Sequence, residues 1–401
     1  MPALPLTASS LAPYDAVLLL SFGGPERPED VLPFMRNVTR GKGIPEERLV
    51  EVSQHYALFG GRSPINDQNR ALLTELRAEL DARGIDTPLA WGNRNWEPYT
   101  DGALGAQLAG GATRVLALVT SAYGSYSGCR QYREHVAAAL AGVTGTDVAD
   151  VAADPESAGI RVDKLRHYFN HPGFVRANAD AVVEAYVELA RQTVRPVAEL
   201  VADAPLLFVT HSIPLAMEAG SAAQRPGYLA QHHDTAQQVA DLAAVDLGVA
   251  PSWSLAFCSR SGPPHQPWLE PDINDVLVAR AEAGVRAVVM SPIGFVSDHM
   301  EVAYDLDTEA IATARNLGVT AVRAGSASTR APFVAGLVDL MVERAAAERG
   351  EEPERVTVGG LGPWPDACAV GCCFQRAGQD TDIPAIAGQQ NTHPTEGVAP
   401  A

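Results

Sequence analysis

His211 closes an apolar run, PLLFVTHSIP, whose Leu206, Leu207, Phe208 and Val209 belong in a core. A histidine at a strand end can be a packed, hydrogen-bonded residue. It can also be the side chain that exchanges a proton near neutral pH. A second candidate is DHMEVAYDLDTEA, where Glu301, Asp305 and Glu309 fall at every fourth position. On a helix this spacing makes one acidic stripe; like charges so placed repel by about a few tenths of a kcal/mol per pair. The stripe is a solvated face, or a row of hard oxygen ligands for a divalent cation in transit. A third is CAVGCC, which crowds Cys368, Cys372 and Cys373 together. Such crowding is unlike a secreted disulfide framework and suits a metal site in a reducing compartment.

These groups need elements to hold them. YDAVLLL (Tyr14 to Leu20) reads as a buried strand that breaks into the glycine turn SFGGP. Helices are predicted over 69–82 and 131–140, around strands ending in GNRNWEP and TSAYGS. The pattern then restarts. Helices over 178–191, 231–247, 275–283 and 298–316 alternate with strands PLLFVTHS, SLAFCSRSG and AVVMSPIGF. The expected fold is α/β: two doubly wound, Rossmann-like domains with parallel sheets, an inter-domain cleft and a Gly/Pro-rich C-terminal tail. The expected boundaries are a flexible leader over 1–13 and a first domain over 14–170, completed by a helix over 332–348. A second domain spans 171–331, and a tail, disordered by composition, spans 349–401. Sites of such sheets lie beyond the carboxyl ends of the strands. There Ser21, Phe22, Asn93, Arg94, Tyr123, Tyr126, His211, Ser259, Trp268, His299 and Glu301 would converge. Aromatic faces with a few cations suit a large flat ligand carrying carboxylates.

The chain has 401 residues, a formal charge of −18 and 46% hydrophobic content. That length suggests two domains, and that charge argues against nucleic acid and anionic lipid as partners. No apolar run is long enough to span a bilayer, and MPALPLTASSLAPYD lacks the charged and apolar regions of a secretory signal. A cytoplasmic protein without membrane insertion is expected.

LLLSFGGP, HYALFGGRSPIN, GNRNWEP, THSIP, SRSGPPHQPWLEPD and SPIGFVSDHMEVAYDLD, in that order, resemble the ferrochelatase family and its actinobacterial branch. The similarity runs from about Tyr14 to Glu348. It implies insertion of ferrous iron into a porphyrin, expected to be coproporphyrin III with coproheme as product, in haem biosynthesis. It implies His211 and Glu301 as the facing catalytic pair, and Asp305 and Glu309 as a ladder for metal or protons. Ser63, Arg94 and Tyr132, with Thr39 or Arg40 as a further candidate, fall where the family contacts propionates or closes the pocket; Trp268 lies near the macrocycle. Phe22 stands where some Gram-positive relatives have tyrosine, so it can only shape the pocket. Asn95 stands where some have a metal-binding histidine, which leaves an extra metal site in doubt. PEDVLPFMRNVTRGKG is short and mixed where membrane-working relatives insert an apolar lip.

Either His211, neutral near pH 7, accepts a pyrrole proton while iron enters from the opposite side, or His211 handles metal and Glu301 the protons. For the cysteines, zinc asks for four thiolate or imidazole ligands and a [2Fe–2S] cluster for four cysteines. Several relatives with a similar C-terminal group carry [2Fe–2S], which implies the same here, with Cys129 preferred over Cys258 as the fourth ligand. Neighbouring haem-pathway enzymes are candidate transient partners. Rival readings are a chelatase for another divalent metal, iron insertion into protoporphyrin IX, or a non-catalytic porphyrin carrier. A nucleotide-binding Rossmann enzyme would need GxGxxG after the first strand, and SFGGPERP does not supply it.

Overall fold

The computed structural model describes residues 10–41, 43–154, 156–223, 225–262, 265–369, 371–375 and 383–388. Among these, no helix is long and apolar enough to cross a membrane. Eight strands among the described residues form two four-stranded sheets. The first contains β1 (Ala16–Ser21), β2 (Leu89–Asn93), β3 (Arg114–Val119) and β4 (Arg161–Lys164), in the order β2-β1-β3-β4. The second contains β5 (Leu206–His211), β6 (Trp253–Cys258), β7 (Ala287–Ser291) and β8 (Thr320–Arg323), in the order β6-β5-β7-β8. Every neighbouring pair is parallel. β1 is buried along its whole length and β5 along all but its last residue. Such near-continuous apolar runs are what a parallel sheet covered on both faces requires.

In each sheet the chain steps outward in opposite directions from the central strand, which opens a crevice beyond the strand ends. Register sets Ser21 beside Asn93 and His211 beside Cys258. The edge strands β4 and β8 carry little apolar pattern and are not apparent from the sequence. One apolar core is shared by the facing sides of both sheets, with Leu19, Leu116, Phe174, Phe208, Val289 and Leu337 among its members. Helices Pro172–Thr193 and Ala331–Glu348 pack against each other within it. A Cβ on Gly173 would lie 2.3 Å from the Pro332 carbonyl oxygen, so the two backbones approach this closely only with glycine there. Helix Pro172–Thr193 begins six residues earlier than the apolar spacing predicts. The His171 ring caps it, accepting from the Gly173 N–H, and Pro172 occupies the first turn.

The segments expected to be loose are held where they are described. Leu11 is buried in the shared core, and Arg349 donates to the carbonyls of Ser10 and Ala12. After helix Ala331–Glu348 the described residues form no helix or strand but are pinned. Val358 N–H donates to the Asn170 carbonyl, Gly360 N–H to Asp234, and the Asn170 amide to the Gly362 carbonyl. Trp364 packs edge-on against Phe169 at 5.3 Å. Composition cannot register such long-range bonds, and it predicts disorder for this stretch. Residues 389–401 lie outside the described residues.

Candidate active site

His211 is fixed from behind. Its carbonyl accepts from the Tyr228 hydroxyl at 3.1 Å, and Thr210 bonds both Tyr228 and His232 at 2.6 and 2.9 Å. A Cβ on Gly294 would sit 2.0 Å from the Thr210 hydroxyl oxygen, so only glycine lets the turn after β7 lie across the end of β5. The His211 Nδ1–H donates to the Ser212 carbonyl at 2.5 Å, which directs Nε2 into the cleft. There Nε2 meets Glu301 Oε2 at 3.5 Å. Burial pulls the imidazole pKa down, but the Glu301 charge and hydrogen bond, then the Ser212 carbonyl and Asp305, outweigh it and raise the pKa to about 9. Glu301, opposed first by burial, is held down at about 2 by His211 and then His299. The expectation of a neutral His211 near pH 7 is therefore corrected: without a ligand the pair is an imidazolium facing a carboxylate. The cause is a carboxylate ninety residues away in the chain, which strand-end position alone does not reveal.

Glu301 immediately precedes, as N-cap, a π-helical stretch, Val302–Ala310, followed by α-helix Ile311–Asn316. Local π geometry is rare and concentrates at functional sites. Asp298 and Asp307 are neutralised by Arg323, whereas Asp305 and Glu309 have no cation within ion-pair distance among the described residues. Asp305 instead accepts a short hydrogen bond from the Ser259 hydroxyl. Burial raises Asp305 to about 7, with the Glu301 and Glu309 charges adding to it and Ser259 opposing. Ser259 itself lies at φ +62°, a left-handed conformation costly for a residue with a side chain. Glu309 is exposed at the outer end of the stripe.

Beyond the ends of β1 and β2, the Arg94 guanidinium lies over the Phe22 ring at 5.1 Å and the Tyr132 ring at 5.0 Å. Its Nη1 is buried without a hydrogen-bond partner, and burial lowers its pKa. A cation held between two rings with an unused donor has the chemistry to bind a carboxylate. Phe22, Arg94 and Tyr132 thus come together as a group. Trp268 backs the strand end, bridging Pro214 and packing on Gly262. Ser63 is buried against Gly24, with its hydroxyl 3.5 Å from the Ile65 N–H at a helix start. The Thr39 hydroxyl donates to the Met35 carbonyl, Arg40 pairs with Asn37, and the Asn95 amide donates to the Phe22 carbonyl. The sequence reading named none of three further contacts: Ser259 on Asp305, His299 accepting from the Glu301 N–H, and His55 stacked on Tyr304 at 3.9 Å. The positive φ after β6 leaves no mark in residue type. His299, however, sits two positions before Glu301 and is visible.

Cys129, Cys368, Cys372 and Cys373 are buried together, and none is in a disulfide. Cys372 and Cys373 sulfurs lie 3.5 Å apart. Cys258 is elsewhere, in the core behind His211. Among the described residues no group of three or more His, Cys, Asp or Glu is arranged to hold a single metal ion. Four buried thiols match, in number and element, the ligands that a two-iron cluster takes.

The family model described as ferrochelatase matches residues 14–345 of the chain. A protein of Streptomyces griseus named coproporphyrin III ferrochelatase is 51% identical over 388 residues, covering 95% of this chain and 98% of its own. One of the same name from Streptomyces coelicolor is 51% identical over 390 residues, with the same coverage. Another from Leifsonia xyli is 48% identical over 373 residues, covering 90% and 91%.

Proposed function

The chain belongs to the ferrochelatase family, and from that premise we propose that it inserts ferrous iron into coproporphyrin III to give coproheme, a step in haem biosynthesis. The observation that carries the reading is the His211–Glu301 pair, 3.5 Å apart at the end of β5, together with an Arg94 guanidinium that has an unused donor. A porphyrin lying over the pair exposes its ring nitrogens to both members, while a propionate meets Arg94 between Phe22 and Tyr132. Trp268 supports the strand end beneath.

Metallation releases two pyrrole protons as iron sheds its water. The imidazolium of His211 already holds a proton, so at rest Glu301 is the member free to accept one. Once the ligand screens Glu301, His211 releases its proton to solvent water, and the neutral imidazole becomes the second acceptor. Asp305, near 7, can take up and release a proton at working pH, and exposed Glu309 connects it to water. The same oxygens suit a hydrated divalent iron in transit. Walls that hold the ring puckered, using contacts away from its centre, would lower the barrier to insertion.

Cys129, Cys368, Cys372 and Cys373 would hold a [2Fe–2S] cluster, which supplies a covalent tie between the Tyr126–Arg130 turn and the C-terminal segment and can accept one electron. Metal insertion needs no electron, so the role is structural or sensory. Buried, unpaired thiols favour a reducing cytoplasm, where porphyrin and coproheme would pass to and from neighbouring pathway enzymes by transient contact.

The test is anaerobic: purified protein with ferrous iron and either coproporphyrin III or protoporphyrin IX. Rapid metallation of coproporphyrin alone is the expected result. Preference for protoporphyrin overturns the substrate, and tight binding without metallation by either leaves a carrier.

A further inference from the structure

Among the described residues, most of the buried arginines and lysines have a carboxylate partner. Arg166 is paired with Glu343, Arg130 with Glu134, and Arg344 with Glu348 and Asp163. Lys164 and Arg133 differ. Each is 4% exposed, and among the described residues neither has a carboxylate within ion-pair distance. Lys164, the last residue of β4, donates to the Leu165 carbonyl at 3.3 Å and lines a small cavity together with Cys129. The negative groups that act on it are Cys368, Cys129 and Asp366, and Asp366 is already bonded to Arg355. Arg133, on helix Gln131–Thr144, gives Nε to the Ile386 carbonyl at 2.7 Å, while its Nη1 is buried with no partner. Ile386 belongs to the same short segment as Ala387, whose carbonyl accepts from the Cys368 N–H, and Gly388, which bridges Cys368. The four sulfurs are thus flanked from β4 and from this helix by two desolvated cations without counter-ions.

Buried charge needs compensation. Two ferric ions, two sulfides and four thiolates sum to a charge of minus two, which the two cations match. We propose that Lys164 and Arg133 are the electrostatic tuning residues of the iron–sulfur site, neutralising its thiolates and raising its reduction potential. This rests on the cluster reading above. The step concerned is uptake of one electron by the oxidised cluster, supplied in the test by dithionite through redox mediators.

The experiment is an anaerobic redox titration of the full-length protein, followed by visible absorption and electron paramagnetic resonance. Iron and acid-labile sulfide are assayed alongside, for wild type, Lys164→Met, Lys164→Arg and Arg133→Gln. At a fixed potential the reduced-to-oxidised ratio should fall at least tenfold in Lys164→Met and in Arg133→Gln. For a one-electron couple that is a lowering of about 59 mV. Lys164→Arg should stay with wild type. Cluster loss from Lys164→Met but not from Lys164→Arg also supports the neutralising role, because retention then follows the positive charge despite the change of shape. An unchanged potential in both neutral variants, or equal loss from Lys164→Arg, overturns it. Wild type without iron and sulfide removes the cluster reading itself, and the tuning role with it.

Discussion

Replacing Glu301 by Gln should change the protonation of a histidine it does not adjoin in sequence. In the wild type His211 titrates at about 9, and the Glu301 charge is the leading influence that opposes burial. Without that charge, burial is opposed only by the Ser212 carbonyl and the more distant Asp305. The pKa should then fall to the ordinary 6.5 or below. Each unit is a factor of ten in the protonated-to-neutral ratio. At pH 7.5 that ratio should drop from roughly 30 to roughly 0.1, about 300-fold before screening. The Glu301 side chain is 48% exposed, and solvent weakens such pairs, so a change of about tenfold to a hundredfold is the working figure. The assay is an NMR titration of the His211 ring in ligand-free, 13C-histidine-labelled protein, assigned with His211→Ala. Linkage gives a second readout. The histidine side of the pair stabilises fully below 6.5 and is lost as pH rises through about 9. The carboxylate side is present above 4.5 and is lost as pH falls through about 2. Wild type should therefore exceed Glu301→Gln in stability at pH 6, and the gap should close by pH 10. A variant whose His211 still titrates above 8 would refute this account of the pair.

Three further outcomes follow from the same geometry. The pH profile of kcat/KM should inflect near 7 through Asp305; Asp305→Asn should abolish that inflection, and Ser259→Ala, which removes the donor to the carboxylate, should move it to higher pH. Arg94→Leu should raise KM for coproporphyrin III about ten- to a hundredfold with a smaller effect on kcat, since a hydrogen bond to a charged group contributes about 1.5–3 kcal/mol. Cys129→Ser should lose the visible absorption of an iron–sulfur cluster while Cys258→Ser keeps it, because Cys258 lies behind His211 and away from the other four.

Much of the site can be read from residue order because buried strands are costly places for polar groups. An apolar run that ends in His211, and acids repeating from Glu301 to Glu309, are conspicuous against that rule. The three tail cysteines are equally plain in sequence, and the structure groups Cys129 with them rather than Cys258. The central strands β1 and β5 are legible for the same reason, being continuous apolar runs. The edge strands β4 and β8 are short and polar, and their pairing depends on neighbours distant in the chain. The held segment after Gly350 has no period at all, since bonds to Asn170 and Asp234 fix it. Charge states are the least legible feature. Local sequence around His211 indicates a neutral ring, and only the fold brings Glu301 to 3.5 Å.

The most direct measurement is single-turnover metallation of coproporphyrin III under anaerobic stopped flow, with porphyrin binding followed by fluorescence. Wild type, His211→Ala and Glu301→Gln would be compared. Both variants should bind the porphyrin within about tenfold of wild type and metallate it at least about a hundredfold more slowly, the scale of a lost general acid or base. Metallation by either variant at close to the wild-type rate would contradict the claim that protons leave the ring through this pair.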